Sequence, residues 1–262
     1  MSQPIIKGPT KGSILFTRPK GQGEELVTAL ENNGWRCIRQ PLLTIQPFEA
    51  EQSAPYLAIK QHILNLCDFD VVISVSSNAS TLAVDWIDQY WPQMPTGLDW
   101  YAVGPSSALP FNQLGIEVIT PQGNHSEGLL VLPGLKDMTH KKVLILRGEG
   151  GRELLADTLK ERGAIVHYAQ LYKRQAVSFK AGELAKLLSE QQIHYALITS
   201  AEMAQQLGHE LKLHNQLLNL ILIVPSERIA IIATSLGFEN VHVCGHLKAE
   251  NLLASLETIS AN

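Results

Sequence analysis

Apolar residues in this chain fall into short runs, each followed by a few polar and glycine-rich positions and then by helical spacing. Ile14, Leu15 and Phe16 form one run. A turn containing Pro19, Gly21 and Gly23 follows, then Leu26 and Leu30 recur one helical turn apart, and Asn32-Asn33-Gly34 supplies a stop. The pattern predicts strand, glycine turn and helix over 14–34. Residues 143–163 repeat it: an apolar run over 143–146, a turn over 147–151, a helix to Arg162 and a stop at Gly163.

The two segments align without a gap, 14 onto 143, an offset of 129. Leu15/Leu144, Arg18/Arg147, Gly21/Gly150, Glu24/Glu153, Leu26/Leu155, Leu30/Leu159 and Gly34/Gly163 are identical pairs. Convergence on one amphipathic pattern explains the leucines and the stop glycine. It does not explain an arginine at the same strand end, or Gly and Glu in step after it. Further along, 70–76 resembles 194–200 at an offset of 124, and 103–106 resembles 223–226. Each of the latter leads into a helix-length stretch, a stop at Leu114-Gly115 or Leu236-Gly237, and a short apolar run expected as a strand (116–119 and 241–244). The steadily shrinking offsets read as an internal duplication with small deletions. Alternating strand and helix implies parallel sheets, and doubly wound sheets bind ligands at the carboxyl ends of their strands. Two such halves would face a ligand across a cleft.

Composition narrows the classes. The chain has 262 residues, 45% of them hydrophobic and 18% charged, a globular balance that argues against disorder. With 21 basic and 25 acidic residues and a net charge of −4, it lacks the basic footprint of a nucleic-acid binder. The greasiest stretch, 217–237, is broken by Asn219, Pro225, Ser226, Glu227 and Arg228, so a membrane span is not expected. No export signal is read at the N-terminus. Cys37, Cys67 and Cys244 are odd in number and far apart, as for reduced thiols in the cytoplasm.

Several positions carry candidate chemistry. Arg147-Gly-Glu-Gly-Gly-Arg152 follows a strand and opens a helix, where N–H groups and the helix dipole favour an anion. A tight turn whose glycines serve geometry alone is the competing reading. It is neither a dinucleotide fingerprint nor a phosphate loop, since Glu153 replaces the third glycine and no Gly-Lys-Ser/Thr follows. Ser76, Ser77 and Asn78, Thr199 and Ser200, Gly104 with Ser106 and Ser107, and Ser226 with Glu227 stand at strand ends, where they can cap helices and also meet carboxylates. Ser126-Glu127 opens another apolar helix in the same way. His242, Cys244 and His246 alternate and could share a strand face, but no fourth ligand is evident, so a metal is not favoured. Tyr172 in Gln170-Leu-Tyr-Lys-Arg174 is either an amphipathic strand residue or a weak acid and hydrogen-bond donor.

Taken in order, Thr17-Arg18-Pro19, Gln40-Pro41-Leu42-Leu43, Ser76-Ser77-Asn78-Ala79, Ala102-Val103-Gly104-Pro105, Ser126-Glu127-Gly128-Leu129, Leu146-Arg147-Gly148 with Gly151-Arg152-Glu153, Tyr172, Thr199-Ser200 and Ser226-Glu227-Arg228 make the sequence resemble the uroporphyrinogen-III synthase family. The resemblance spans nearly the whole chain. It implies two similar doubly wound α/β domains joined by two extended linkers, with the ligand cleft between them: residues 1–36 plus 177–262 as one domain, 46–165 as the other, and 37–45 and 166–176 as paired linkers. The implied activity closes hydroxymethylbilane, a linear tetrapyrrole with eight carboxylates, into uroporphyrinogen III with loss of water and inversion of the last ring. No cofactor or metal is implied. Tyr172 matches the family's most implicated side chain, with a role in departure of the hydroxyl. Arg18, Ser76, Asn78, Gly104, Ser107, Ser126, Glu127, Arg147, Gly148, Thr199, Ser200 and Ser226 are the implied substrate-binding positions. This chain departs from the family pattern at Ser74, Val75 and Ser107, and Glu227 stands where a direct hydroxyl contact would be expected. The expected protein is a cytoplasmic monomer in transient contact with the enzyme that makes the bilane. Two other readings compete: a two-domain α/β protein that closes on an anionic small molecule without chemistry, and a nucleotide-dependent transferase, which lacks its fingerprints.

Overall fold

The computed structural model describes residues 11–122, 126–151, 153–212 and 219–260. They form ten strands: β1 (Gly12–Phe16), β2 (Trp35–Arg39), β3 (Leu43–Pro47), β4 (Val71–Ser74), β5 (Asp99–Ala102), β6 (Lys142–Gly148), β7 (Ile165–Ala176), β8 (Ile193–Leu197), β9 (Ile221–Val224) and β10 (Val241–Val243). The helices among them are α1 (Glu24–Asn32), α2 (Ala54–Leu64), α3 (Ser77–Tyr90), α4 (Pro105–Gln113), α5 (Ser126–Leu129), α6 (Leu154–Glu161), α7 (Glu183–Glu190), α8 (Ala201–Lys212), α9 (Glu227–Ser235) and α10 (Ala249–Ser260). The chain divides into two compact units: the described residues up to Thr44 and from Gln175 onward, and Ile45–Arg174.

Unit 1 carries a five-stranded sheet in the order β10-β9-β8-β1-β2, and unit 2 one in the order β3-β7-β6-β4-β5. Every neighbouring pair in the first sheet is parallel, as are β5, β4, β6 and β7 in the second. The alignment found in the sequence makes β1 equivalent to β6, β2 to β7, β8 to β4 and β9 to β5. Under that equivalence the two sheets have the same order, β9-β8-β1-β2 against β5-β4-β6-β7. Each sheet therefore combines one part from each copy of the repeat. The expected strand over 116–119 is reduced to a single bridge from Ile119 to Tyr101, and β10 stops at Val243.

The strands read as unbroken apolar runs because both faces of each sheet are covered. In unit 1, Leu15, Ala196, Leu222 and Val224 pack on one side with α7, α8 and α9, while Ile14, Phe16, Leu197 and Ile223 pack on the other with α1 and α10. In unit 2, Val72, Leu144 and Leu146 face α2, α3 and α4, while Val71, Ile73, Val143 and Ile145 face α5 and α6. Burying each large side chain contributes about 1.5–3 kcal/mol. Helix α1 illustrates the division: Leu26, Val27 and Leu30 point inward, and Glu24 and Glu25 in its first turn complement the helix dipole.

The segments 37–45 and 166–176 are strands for most of their length. Residues 37–39 finish β2, 43–45 begin β3, and 166–176 all belong to β7. A bare extended connection would leave backbone donors and acceptors unpaired, and pairing satisfies them. The Val177 N–H donates to the Leu42 carbonyl at 3.0 Å, the Phe48 N–H to Leu171 at 3.5 Å, and Thr44 Oγ1 to the Gln175 carbonyl at 3.3 Å.

Behind the sheet of unit 2, His62 of α2 and His167 of β7 flank Phe69, their imidazoles 5.6 Å apart. Burial, and then the neighbouring His167, lower the His62 pKa from its ordinary 6.5. A base with a lowered folded-state pKa binds protons more readily when unfolded. It therefore withdraws stability as pH falls from 6.5 through the folded value. The urea midpoint should drop between pH 7.5 and 5, and His62→Gln should flatten that limb. An unchanged limb in His62→Gln would assign it to other groups.

Candidate functional site

Both sheets reverse strand order at equivalent places, between β4 and β6 in unit 2 and between β1 and β8 in unit 1. Such switch points open a crevice at the carboxyl ends of the strands. In unit 2 that crevice is a pocket of about 330 Å³ whose lining includes Ser76, Glu127, Arg147, Gly148, Tyr168 and Tyr172. Five of the residues singled out in the sequence thus come together: Ser76, Glu127, Arg147, Gly148 and Tyr172.

Tyr172 reaches the pocket through an irregularity in β7. The register runs Leu146↔Ala169 and Arg147↔Gln170, then skips Leu171, so that Gly148 lies opposite Tyr172. An extra residue bends a strand and re-aims its side chains. Leu171 and Tyr172, consecutive residues, both enter the core on the α3 side. The Tyr172 side chain is 3% exposed. A Cβ on Gly148 would stand 2.6 Å from the ring's Cε2 and Cζ, so the ring rests directly on that backbone. The Glu149 N–H fixes the tyrosine carbonyl at 2.7 Å. At the ring's far end the phenol oxygen lies 3.1 Å from Ser76 Oγ.

Ser76 caps α3, accepting the Ala79 N–H at 3.1 Å. Ser200, its counterpart in the repeat, caps α8 in the same way, accepting the Met203 N–H at 3.2 Å. Behind Ser76 lies a row of buried hydroxyls. Ser74 Oγ and Ser80 Oγ are 2.7 Å apart, and Ser80 Oγ donates to the Ser107 carbonyl at 2.5 Å.

Arg147 is placed differently from a free charge partner. It is 5% exposed. Its Nη1 is 2.9 Å from Glu153 Oε1, its Nη2 donates to the Gly150 carbonyl, and its guanidinium lies 4.9 Å from the centre of the Tyr168 ring. The Tyr168 hydroxyl donates to the other oxygen of Glu153. That bond, followed by Arg147, holds Glu153 below the usual carboxylate range, while burial and Glu153 push Tyr168 up to about 12. Tyr168 is thus a committed donor, and the arginine braces the glycine turn 148–151. Arg174 also lines the pocket, its side chain exposed and its Nη2 donating to the Glu149 carbonyl at 3.5 Å.

The remaining positions lie elsewhere. Ser107 is 2% exposed and turned into the core of unit 2. Gly104 precedes α4, and Asn78 lies half-buried in the first turn of α3. Ser126 begins α5, but its side chain, like Arg152, lies outside the described residues. Arg18, Thr199, Ser200 and Ser226 follow β1, β8 and β9 in unit 1. Thr17 Oγ1 ties the ends of β1 and β8 by donating to the Leu197 carbonyl at 2.6 Å. Arg18 Nη2 donates to Gln22 at 3.4 Å, its Nε is buried without a partner, and burial lowers its pKa against the opposing pull of Glu25. Glu227 is exposed at the start of α9. His242 and His246 are exposed whereas Cys244 is buried, so the three do not share a face. Among the described residues no three His, Cys, Asp or Glu side chains are placed to hold a metal, and no helix is long and apolar enough to cross a membrane.

Sequence reasoning missed Tyr168, Arg174 and the bracing role of Glu153. Their place on the same strand as Tyr172 was the available signal for the first two.

Two doubly wound sheets of one shared order, one of them with a phenol seated at its switch point, define an α/β protein of two units whose ligand face is built from strand ends. The chain belongs to the uroporphyrinogen-III synthase family: the model for uroporphyrinogen-III synthase HemD matches residues 24–254. A uroporphyrinogen-III synthase of Escherichia coli is 35% identical over 253 residues, covering 94% of this chain and all of the relative. Among solved structures, a mutant uroporphyrinogen III synthase of Thermus thermophilus (TM-score 0.60, 12% identity, 95% of this chain and 99% of that one) shares the fold. So does a uroporphyrinogen-III synthetase of Helicobacter pylori (TM-score 0.60, 16% identity, 95% and 99%).

Proposed function

We propose that this chain is a uroporphyrinogen-III synthase that closes hydroxymethylbilane with loss of water and inversion of the last ring. The observation that carries the reading is the Tyr172 phenol, fixed by Gly148 and Ser76 in a pocket at the switch point of unit 2. In this reading Tyr172 protonates the departing hydroxyl, a contribution worth about 10²–10⁴-fold for a well-placed acid. The C–O bond breaks with its electron pair on the leaving water, and the pyrrole nitrogen supplies electrons to the carbon left behind. Carboxylates are held by strand-end N–H groups and hydroxyls, including Thr199, Ser200 and Ser226, with Arg18 and Arg174 as cations. Much of the rate comes from holding the chain ends in the productive order, an effect of orientation. The two compact units are the two domains, with 37–45 and 166–176 as their connections. We place the enzyme in the cytoplasm as a monomer that receives its unstable substrate from the enzyme that makes it. Three unpaired cysteines suit that compartment.

The test supplies hydroxymethylbilane and resolves the isomers formed. The type III isomer is expected. Formation of only the spontaneous type I isomer, with the bilane bound but not turned over, would make the protein a binder.

A further inference from the structure

An acid that must deliver its proton into a pocket depends on what its oxygen receives from behind. A tyrosine hydroxyl has one hydrogen to give and lone pairs that accept. The neighbour of the Tyr172 oxygen is Ser76 Oγ, 3.1 Å away. That serine oxygen accepts the Ala79 N–H, which leaves it one lone pair and its own hydrogen to place. Among the described residues, the Tyr172 oxygen is the acceptor within its reach.

We propose that Ser76 is a positioning residue for Tyr172: its hydroxyl donates to the phenol oxygen, turns the phenol hydrogen into the pocket, and stays as a donor to the phenolate once that hydrogen has left. The proposal deepens the cyclase reading above and rests on it. The step balances. The phenol hydrogen goes to the departing hydroxyl, which leaves as water with the C–O pair. The negative charge on Tyr172 is met by the Ser76 O–H. The proton released when the pyrrole regains aromaticity after ring closure restores the phenol. A phenol is a stronger acid than an alcohol, so an oxygen acceptor entering the pocket takes the phenol hydrogen and leaves the serine as donor behind it.

The buried hydroxyls explain why Ser76 is held firmly enough for this. Ser74 and Ser80 have no exposure, and Ser107 has 2%. Hydroxyls so placed cost free energy unless bonded. Ser80 has one hydrogen, and its shortest contact, 2.5 Å, takes it to the Ser107 carbonyl. Ser74 Oγ then has two acceptors for its hydrogen, Ser80 Oγ at 2.7 Å and the Ser76 carbonyl at 3.2 Å. The Ser80 N–H holds the Ser76 carbonyl at 3.0 Å. The end of β4 and the first turns of α3 and α4 are thereby tied into one unit, with the Ser76 side chain at its edge facing Tyr172.

Three substitutions in the full chain separate this role from helix capping and from substrate binding. Ser76→Ala should lower kcat about tenfold, the scale of one lost hydrogen bond, with KM unchanged. Ser76→Thr should restore kcat to within about twofold, because it keeps the hydroxyl. Ser76→Asp caps α3 as well as serine and keeps the melting temperature. It can only accept from Tyr172, so kcat should fall at least as far as in the alanine variant. In a Tyr172→Phe background, Ser76→Ala should cost nothing further. Recovery of kcat in Ser76→Asp, a change confined to KM, or an additive loss on top of Tyr172→Phe would each overturn the proposal. If the unmodified chain forms no type III isomer, the cyclase reading and the proposal fall together. If it forms that isomer and Ser76→Ala is as fast, the proposal alone falls.

Discussion

Tyr172→Phe should lower kcat about 100-fold, at the lower end of what a positioned general acid contributes, while KM changes little. The substitution removes one oxygen and leaves the ring. The ring keeps its seat on Gly148 and its packing among the unit 2 core residues on the α3 side. The hydrogen bond to Ser76 is lost, and an intramolecular hydrogen bond contributes about 0.5–1.5 kcal/mol net. The serine keeps its bond from the Ala79 N–H and is only half-buried, so its hydroxyl hydrogen can turn to solvent. The melting temperature should therefore shift by no more than about 2–4 °C. The measurement is initial rate against bilane concentration with the isomers resolved, beside a thermal melt of the same sample. A kcat within twofold of the unmodified chain would remove the phenol from the chemistry. A fall in kcat accompanied by a large loss of melting temperature would instead make the hydroxyl structural.

Much of the architecture was legible because parallel strands covered on both faces announce themselves as apolar runs, and helices on their flanks as leucines at period 3.6. The repeat was legible for another reason. Arg18 and Arg147, and Gly21 and Gly150, occupy the same places in the turn, and both glycines adopt left-handed backbone, at φ +81° and +69°. The exchange of parts between the sheets was implied only by the resemblance, since offsets along a chain say nothing about which strand pairs with which. The site was less legible, and three residues show why. Arg147 was implied as a substrate-binding position, but Glu153, Gly150 and Tyr168 occupy its guanidinium, a set defined by a turn that periodicity does not describe. Ser107 read as a ligand, but one hydroxyl at a helix start can face outward or inward, and here it is turned into the core. Tyr172 was singled out while its direction was hidden. Strict alternation along β7 would put it on the face of Tyr168, and the skipped Leu171 turns it to the opposite one.

Gly148→Ala should be almost as damaging to turnover as loss of the phenol itself, without removing any reacting group. Gly148 does not have the positive φ that demands glycine, so an alanine there meets no backbone penalty. What it meets is the Tyr172 ring, with Cε2 and Cζ 2.6 Å and the phenol oxygen 3.0 Å from the new Cβ. Carbon atoms pack at about 3.5–4.0 Å, so the ring has to move by roughly an ångström. It lies in a closed core and its carbonyl is pinned by the Glu149 N–H, so the displacement falls on the ring's free end, where the 3.1 Å contact with Ser76 is made. Overpacking of this kind costs about 1–3 kcal/mol of stability. Misplacing a reacting group by about 1 Å can cost on the order of 100-fold in rate. The expected result is a folded protein, melting several degrees lower, with kcat reduced about 30- to 100-fold. The double variant Gly148→Ala/Tyr172→Phe identifies the cause. If the alanine acts by moving the phenol, a chain that has no phenol has nothing more to lose, and the double variant should be as fast as Tyr172→Phe alone. A double variant slower by the product of the two single effects would mean that Gly148 serves the pocket independently of the ring that rests on it.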